Sequence, residues 1–280
     1  MRVTTLLAAT VVALVAGIVT GSADMAFAAA GQPTDWALGF QDSRSPVMDD
    51  LVWFDNFLLV LITVISLFVL ALLIIIMVRF NAKKNPEPSK TTHNTLIEVL
   101  WTVVPILILI VVAVPSFRLL YKQMEVPEAD LTIKAIGYQW YWGYEYPDHD
   151  GLFFEALMLE DDELAEGQPR LLATDTEVVV PVNATVRLQI TSEDVIHAWA
   201  IPSFGVKMDA VPGRLNETWF RATEVGTYYG QCSELCGIRH AYMPITVKVV
   251  TQEEFDEWIL WAKEEYAAAP SAYDVADAQR

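Results

Sequence analysis

Two long apolar runs divide this chain into a part that cannot stay in water and a part that can. Phe57 to Val78 is a stretch of 22 residues broken only by Thr63 and Ser66, enough for a helix to cross a hydrocarbon core of about 30 Å. The second run, Leu96 to Leu120, carries Glu98 near its start and Pro105 and Pro115 within it. Neighbouring helices and local distortion can satisfy the carbonyls that proline frees, so the two runs predict a transmembrane hairpin over 51–80 and 96–120. Arg79, Lys83, Lys84 and Lys90 crowd the region between the runs against a single Glu87. Positive charge of this kind holds a short loop in the cytoplasm, so the connector 81–95 is cytoplasmic and both mature ends face outward.

An earlier apolar run, Leu6 to Val19, follows Arg2 and ends in the small residues around Ala26 to Gly31. This predicts a cleavable export signal over 1–30, with cleavage after Ala28 or after Ala30 meeting the small-residue rule equally. An uncleaved third helix is the alternative. Residues 31–50 then form a polar periplasmic leader.

Everything from Tyr121 on is an exported unit large enough for its own core. It carries 28 Asp and Glu against 11 Lys and Arg, a net −17 of the chain's −18. Such a field repels nucleic acid and draws cationic partners in. The residue pattern changes here to short segments rich in branched and aromatic residues. These are Leu131–Tyr138, Gln139–Tyr146, Leu152–Met158, Glu177–Val182, Thr185–Ile190, Thr218–Arg221, Thr227–Gln231 and Pro244–Val250. Turn signals at Asp150-Gly151, Pro212-Gly213 and Glu224 to Gly226 separate them, which predicts an all-β sandwich or Greek-key barrel over 121–251. Thr251-Gln-Glu-Glu then opens an amphipathic segment with Phe255, Trp258, Ile259 and Trp261, a capped C-terminal helix and tail over 252–280.

The chemistry is concentrated in Cys232 to Met243, with the spacing Cys-x3-Cys-x3-His-x2-Met through Cys236 and His240. Thiolate, imidazole and thioether form a soft donor set that suits copper. His197, in a segment that reads as a strand, is a further ligand candidate. A mononuclear blue-copper site uses one Cys, two His and a weak axial Met, so here there is one thiolate too many. Two thiolates, two imidazoles, a thioether and a main-chain carbonyl could instead hold two copper ions that share both sulfurs. Both cysteines of the chain lie in this segment, and a disulfide between them is the competing assignment in an oxidising compartment. Met243 taken alone would be core filler. His93 and His149 fall outside the string and read as surface or interface residues.

Beyond the ligand string, Thr92–Thr102, Lys134–Tyr146, Asp194–Trp199 and Val211–Arg214 follow one another in an order that is itself informative. From the first long helix onward the chain resembles subunit II of the bacterial cytochrome c oxidases, the haem-copper respiratory oxidases. The resemblance implies a two-helix hairpin with a cupredoxin-like barrel that holds the dinuclear copper A centre, in the inner membrane with the copper domain periplasmic. Cys232 and Cys236 would bridge two copper ions, His197 and Met243 would complete one, and His240 with the main-chain carbonyl of Glu234 the other. The Glu234 carboxylate would serve a magnesium or manganese ion at the junction with catalytic subunit I, a hard ion for a hard donor. Trp140 would receive electrons from cytochrome c, with Glu145, Glu155, Asp175 and Asp194 steering the docking. Glu98 would stand at the mouth of a proton path into the catalytic subunit. Further oxidase subunits and membrane lipid complete the implied partners. Tyr138 departs from the pattern, since many relatives carry His there. Two other assignments make different demands: a quinol oxidase subunit II lacks the copper ligands, and an exported Cys-x3-Cys copper or thiol chaperone needs a thioredoxin-like alternation of helices and strands.

Overall fold

The computed structural model describes residues 31–266; the predicted export signal and the end of the C-terminal tail lie outside them. Helix α1, Pro46–Arg79, has 34 residues, about 51 Å at 1.5 Å per residue. Its start is set by Ser45, whose hydroxyl accepts the Met48 N–H at 3.0 Å, and by Pro46 in the first turn, where no amide hydrogen is needed. Helix α2, Thr95–Met124, is capped by Asn94 and runs through Pro105 and Pro115 without a break. The two pack against each other as a hairpin, and among the described residues nothing else covers their apolar spans. Both are long and apolar enough to cross a membrane.

Among the described residues the outer domain contains ten strands. A five-stranded sheet takes the order β3-β2-β1-β5-β8: β1 Leu131–Tyr138, β2 Tyr141–Tyr146, β3 Leu152–Ala156, β5 Val186–Ser192 and β8 Asn216–Phe220. A three-stranded sheet takes the order β4-β10-β9: β4 Val178–Pro181, β10 Pro244–Val250 and β9 Gly226–Gln231. The ribbon β6 His197–Ile201 and β7 Val206–Ala210 completes the fold. Pairs β1/β5 and β4/β10 are parallel; the other pairs are antiparallel. Strand β5 alternates buried and half-buried along its length, the period-two signature of a sheet with one face on the core. Trp142, Tyr144, Tyr146, Trp199, Phe204, Phe220 and Tyr228 fill that core almost without solvent contact, each contributing roughly 1.5–3 kcal/mol in transfer free energy. The Tyr146 hydroxyl donates to the Val179 carbonyl at 2.9 Å and accepts the Val179 N–H at 3.0 Å. One side chain thus ties the two sheets together.

The expected all-β domain is present, with three differences of detail. Strand β7 falls in no expected segment: Val206-Lys-Met-Asp-Ala does alternate apolar and polar residues, but it is only five residues long and has a single β-branched residue. The expected strand Gln139–Tyr146 begins at Tyr141, since Tyr138 pairs with Tyr141 and leaves Gln139 and Trp140 as a two-residue hairpin turn. Those turns usually announce themselves with Asn or Gly, and an aromatic in this position reads as strand. The expected strand Leu152–Met158 ends at Ala156, after which Met158 makes only an isolated bridge to Thr174.

Helix α3, Gln252–Tyr266, opens as predicted. The Thr251 N–H donates to the Glu254 carboxylate at 2.9 Å, and the Glu254 N–H returns a bond to the Thr251 hydroxyl at 3.3 Å. Phe255, Ile259 and Ala262 are buried beneath it and Trp258 packs on Tyr146, whereas Trp261 faces outward.

Hairpin and domain are joined at one corner. Lys122, near the end of α2, donates to Asp50 at 2.5 Å and to the Pro46 carbonyl at 2.8 Å, both on α1. Its own carbonyl accepts Trp219 Nε1–H from β8 at 3.0 Å. The Ser45 hydroxyl, besides capping α1, donates to the Phe204 carbonyl at 2.7 Å. Farther up, the leader is held by Tyr229 N–H on the Gly31 carbonyl and Arg44 N–H on the Ser203 carbonyl.

Candidate metal centre

The ligand string forms the whole connection between β9, which ends at Gln231, and β10, which begins at Pro244. The connection is closed at its base by Cys232 N–H on the Met243 carbonyl at 3.2 Å, and Ser233 N–H reaches the Ala198 carbonyl on β6 at 2.9 Å. The second bond brings the cysteine end of the loop beside His197, the first residue of β6. Cys232 Sγ lies 3.9 Å from His197 Nδ1 and 3.8 Å from Cys236 Sγ; Cys236 Sγ lies 3.6 Å from His240 Nδ1 and 3.5 Å from Met243 Sδ. The Glu234 carbonyl is 3.3 Å from Cys232 Sγ. Five soft side-chain donors and one carbonyl therefore converge from residues as far as 46 positions apart along the chain, His197 to Met243. The two thiols are free, so the disulfide assignment is not realised here.

His197, Cys232, Cys236 and Met243 are buried and His240 is half-buried. Burial pushes the Cys232 thiol up, but bonds to His197 and to main-chain groups of Glu234 and Ala198 outweigh it and bring it down to about 6. Burial and the neighbouring Cys232 charge push Cys236 up to about 12. A buried pair in which one thiolate forms readily and the second is held back is stabilised as a double thiolate by bound cations, because coordination needs the deprotonated form. The donor set therefore fits copper, and its atoms lie close enough for both sulfurs to be shared.

The imidazole of His197 is held from behind. Its Nε2 lies 2.8 Å from Asp194 Oδ1, leaving Nδ1 toward the sulfurs. Asp194 also accepts Gln139 N–H at 2.6 Å and Val195 N–H at 2.6 Å. Burial alone would raise its carboxyl; the bonds from His197, Val195 and Gln139 hold it below the usual range. Trp142 meets the His197 ring edge-on at 6.0 Å. A Cβ at Gly137 would stand 2.7 Å from His197 Cδ2, so only glycine leaves room for the ring.

Trp140 is half-buried at the tip of the β1–β2 turn and donates Nε1–H to the Cys236 carbonyl at 3.2 Å. It borders a cleft of about 500 Å³ shared with Tyr141, Glu160, Asp175, Arg239 and Tyr242. The four expected docking carboxylates are not equivalent. Glu155 is exposed on β3, and Glu145 is bound to Lys134 at 3.3 Å. Asp175 accepts the N–H groups of Leu157 and Thr176 at 2.8 and 2.7 Å, and Asp194 braces His197. The Glu234 side chain is exposed. Glu98 lies one turn into α2, far along the chain from the ligand loop, and its carboxylate caps that helix by accepting Asn94 N–H at 3.2 Å. Gln139 as a neighbour of the loop was not legible in the sequence, since it depends on how the β1–β2 turn lands on a distant loop; Asp194 as a brace was not read either, although it lies three residues from His197.

Residues 131–250 match the family model described as the periplasmic domain of cytochrome c oxidase subunit II, and residues 33–119 match the model for its transmembrane domain. The probable cytochrome c oxidase subunit 2 of Rickettsia bellii (strain RML369-C) is 54% identical over 83% of this chain and 87% of its own length. Cytochrome c oxidase subunit 2 of Cereibacter sphaeroides is 49% identical over 83% and 82% respectively. The crystal structure of the periplasmic domain of subunit II of cytochrome oxidase from Bradyrhizobium japonicum is 58% identical, covers 51% of this chain and 99% of its own, and superposes with a TM-score of 0.48.

Removing the brace behind His197 tests the site as drawn. Asp194→Ala should leave the domain folded while copper affinity falls about 10–100-fold, the usual cost of losing such a partner. A competitive chelator titration measures it, and wild-type affinity in the variant would show that the carboxylate does not orient the ring.

Proposed function

The chain belongs to the cytochrome c oxidase subunit II family, and on that premise we propose that it is the subunit through which electrons from cytochrome c reach the haem-copper catalytic subunit, where oxygen is reduced to water and protons are pumped. The observation that carries this reading is the convergence of Cys232, Cys236, His197, His240 and Met243 within 3.5–3.9 Å of one another in a linked series. Cys232 and Cys236 would bridge two copper ions, with His197 and Met243 on one and His240 and the Glu234 carbonyl on the other. When bound, the pair accepts and releases one electron shared over both metals, so little has to reorganise.

The chain's own residues supply the rest. The β9–β10 ladder holds the loop closed, and Asp194 fixes the tautomer and direction of His197. The buried setting of the cysteines and Met243 excludes water from the sulfurs. Trp140 presents a half-exposed indole beside a cleft that also carries Glu160, Glu163, Asp175 and Arg239, and is bonded to the peptide of Cys236, which supports it as the receiving group for electrons. Glu155 and Glu145, with the other acidic residues nearby, draw in a basic haem protein and act on encounter rate more than on tight binding. The hairpin fixes the domain to the membrane beside the catalytic subunit, with the domain periplasmic. The exposed carboxylate of Glu234 suits a magnesium or manganese ion shared with that subunit, and Glu98 suits the mouth of a proton path at the cytoplasmic end of α2, where an ionisable group in a membrane helix is a functional suspect. An all-β outer domain is not the scaffold of a thioredoxin-like chaperone, and no copper ligand is missing as it would be in a quinol oxidase subunit.

The full chain, purified in detergent with its cysteines reduced and copper supplied, should bind about two coppers that share one unpaired electron, a pattern set by two thiolates in one donor set. A mononuclear signal, or none, in the electron paramagnetic resonance spectrum would sink the dinuclear reading. In the assembled oxidase, Glu145→Gln with Glu155→Gln should lower the cytochrome c on-rate by on the order of tenfold at low ionic strength and flatten its salt dependence; an unchanged salt slope would remove the steering role. Glu234→Ala should abolish the interfacial manganese hyperfine signal and Glu98→Gln should slow proton uptake, with wild-type behaviour in either variant counting against that residue.

A further inference from the structure

The β1–β2 turn is fastened to the metal loop by more than the indole it carries. Gln139 Nε2 donates to the Cys236 carbonyl at 2.8 Å, the same oxygen that receives Trp140 Nε1–H at 3.2 Å. A carbonyl has two lone pairs, and these two donors occupy both. The main chain of Gln139 is held as well, since its N–H donates to Asp194 Oδ2 at 2.6 Å while the other oxygen of that carboxylate holds His197. Gly237 completes the contact. It has φ +123°, and a Cβ there would stand 3.1 Å from Trp140 Cζ2 and 3.2 Å from Gln139 Nε2, so turn and loop touch with no space for a side chain between them.

We propose that Gln139 is a positioning residue: its carboxamide locks the Cys236–Gly237 peptide in the orientation that keeps the Trp140 indole against the metal loop. The proposal rests on the reading of Trp140 as the group that receives electrons. The step it serves moves one electron from the reduced haem of a docked cytochrome to the oxidised metal pair, with no bond made or broken. Trp140 sits at the tip of a two-residue turn, bonded to the loop through a single N–H, and its two side-chain torsions let the ring leave that position. Gln139 removes this freedom from the other side of the same bond, by fixing the acceptor. Unlike Asp194, it bonds no metal-ligating side chain, so the metal set does not depend on it.

The test uses the assembled oxidase and a cytochrome c carrying a covalently attached ruthenium photoreductant, at saturating complex and low ionic strength. In Gln139→Ala and in Gln139→Glu, whose carboxylate accepts bonds but donates none, metal content and the electron paramagnetic resonance spectrum should match wild type. The first-order rate of electron injection should fall about tenfold, as a small misplacement in a prearranged contact can cost. Backbone hydrogen exchange across Gly137 to Tyr141 should rise in both. Trp140→Phe serves as the control on the underlying reading. If it slows injection while both Gln139 variants keep the wild-type rate, the positioning role alone is wrong; if it leaves injection unchanged, the Trp140 reading fails and takes this proposal with it. Loss of metal in Gln139→Ala would assign the residue to holding the site together, which also overturns the proposal.

Discussion

The site depends on the β9–β10 ladder closing the ligand loop and on one bond from that loop to β6. Gln231 pairs with Pro244 at the foot of the loop, and Cys232 N–H bonds the Met243 carbonyl just inside it. The first and last ligands of the string are therefore neighbours before any metal is considered. Ser233 N–H on the Ala198 carbonyl then fixes the loop beside His197. A loop with free ends would lose conformational entropy on ordering five donors around an ion. Here the sheets have already imposed most of that order.

Charge on this domain acts at two ranges. At long range the surplus of carboxylates makes a field that favours a cationic partner. At short range some of the same carboxylates are used up in local bonds. Asp194 joins His197 to the β1–β2 turn, and Asp175 holds two main-chain amides. An alteration at Asp194 consequently mixes a change in field with a change in the geometry behind His197, whereas Glu155, exposed on β3 and bonded to Tyr141, leaves the surroundings of His197 untouched.

The membrane hairpin contributes more than an anchor. Through Lys122 the end of α2 is bonded to the start of α1 and to β8, and through Ser45 the start of α1 is bonded to the Phe204 turn. These contacts restrict rotation of the barrel on its two stalks. The proposed electron transfer between separate chains would need that restriction, since its partners must stay at a fixed separation.

The sequence by itself determined the hairpin, the all-β class of the outer domain, the capping box at Thr251 and the identity of the soft donors. Each of these is written locally, in a hydropathy run, a period of two, a four-residue cap or a twelve-residue string. The β1–β2 turn escaped because Gln139-Trp140 has none of the residues that turns prefer, and β7 because it is short and poor in β-branched residues. Only the tertiary structure decided that Asp194 stands behind His197, that Gly137 leaves space for the imidazole, and that Gln139 and Trp140 share the carbonyl of Cys236. The Gln139 and Gly137 contacts join residues 97 and 60 positions apart through the packing of separate strands, and the Asp194 contact depends on how three residues bend into β6; no pattern of neighbours along a chain encodes which turn will meet which loop.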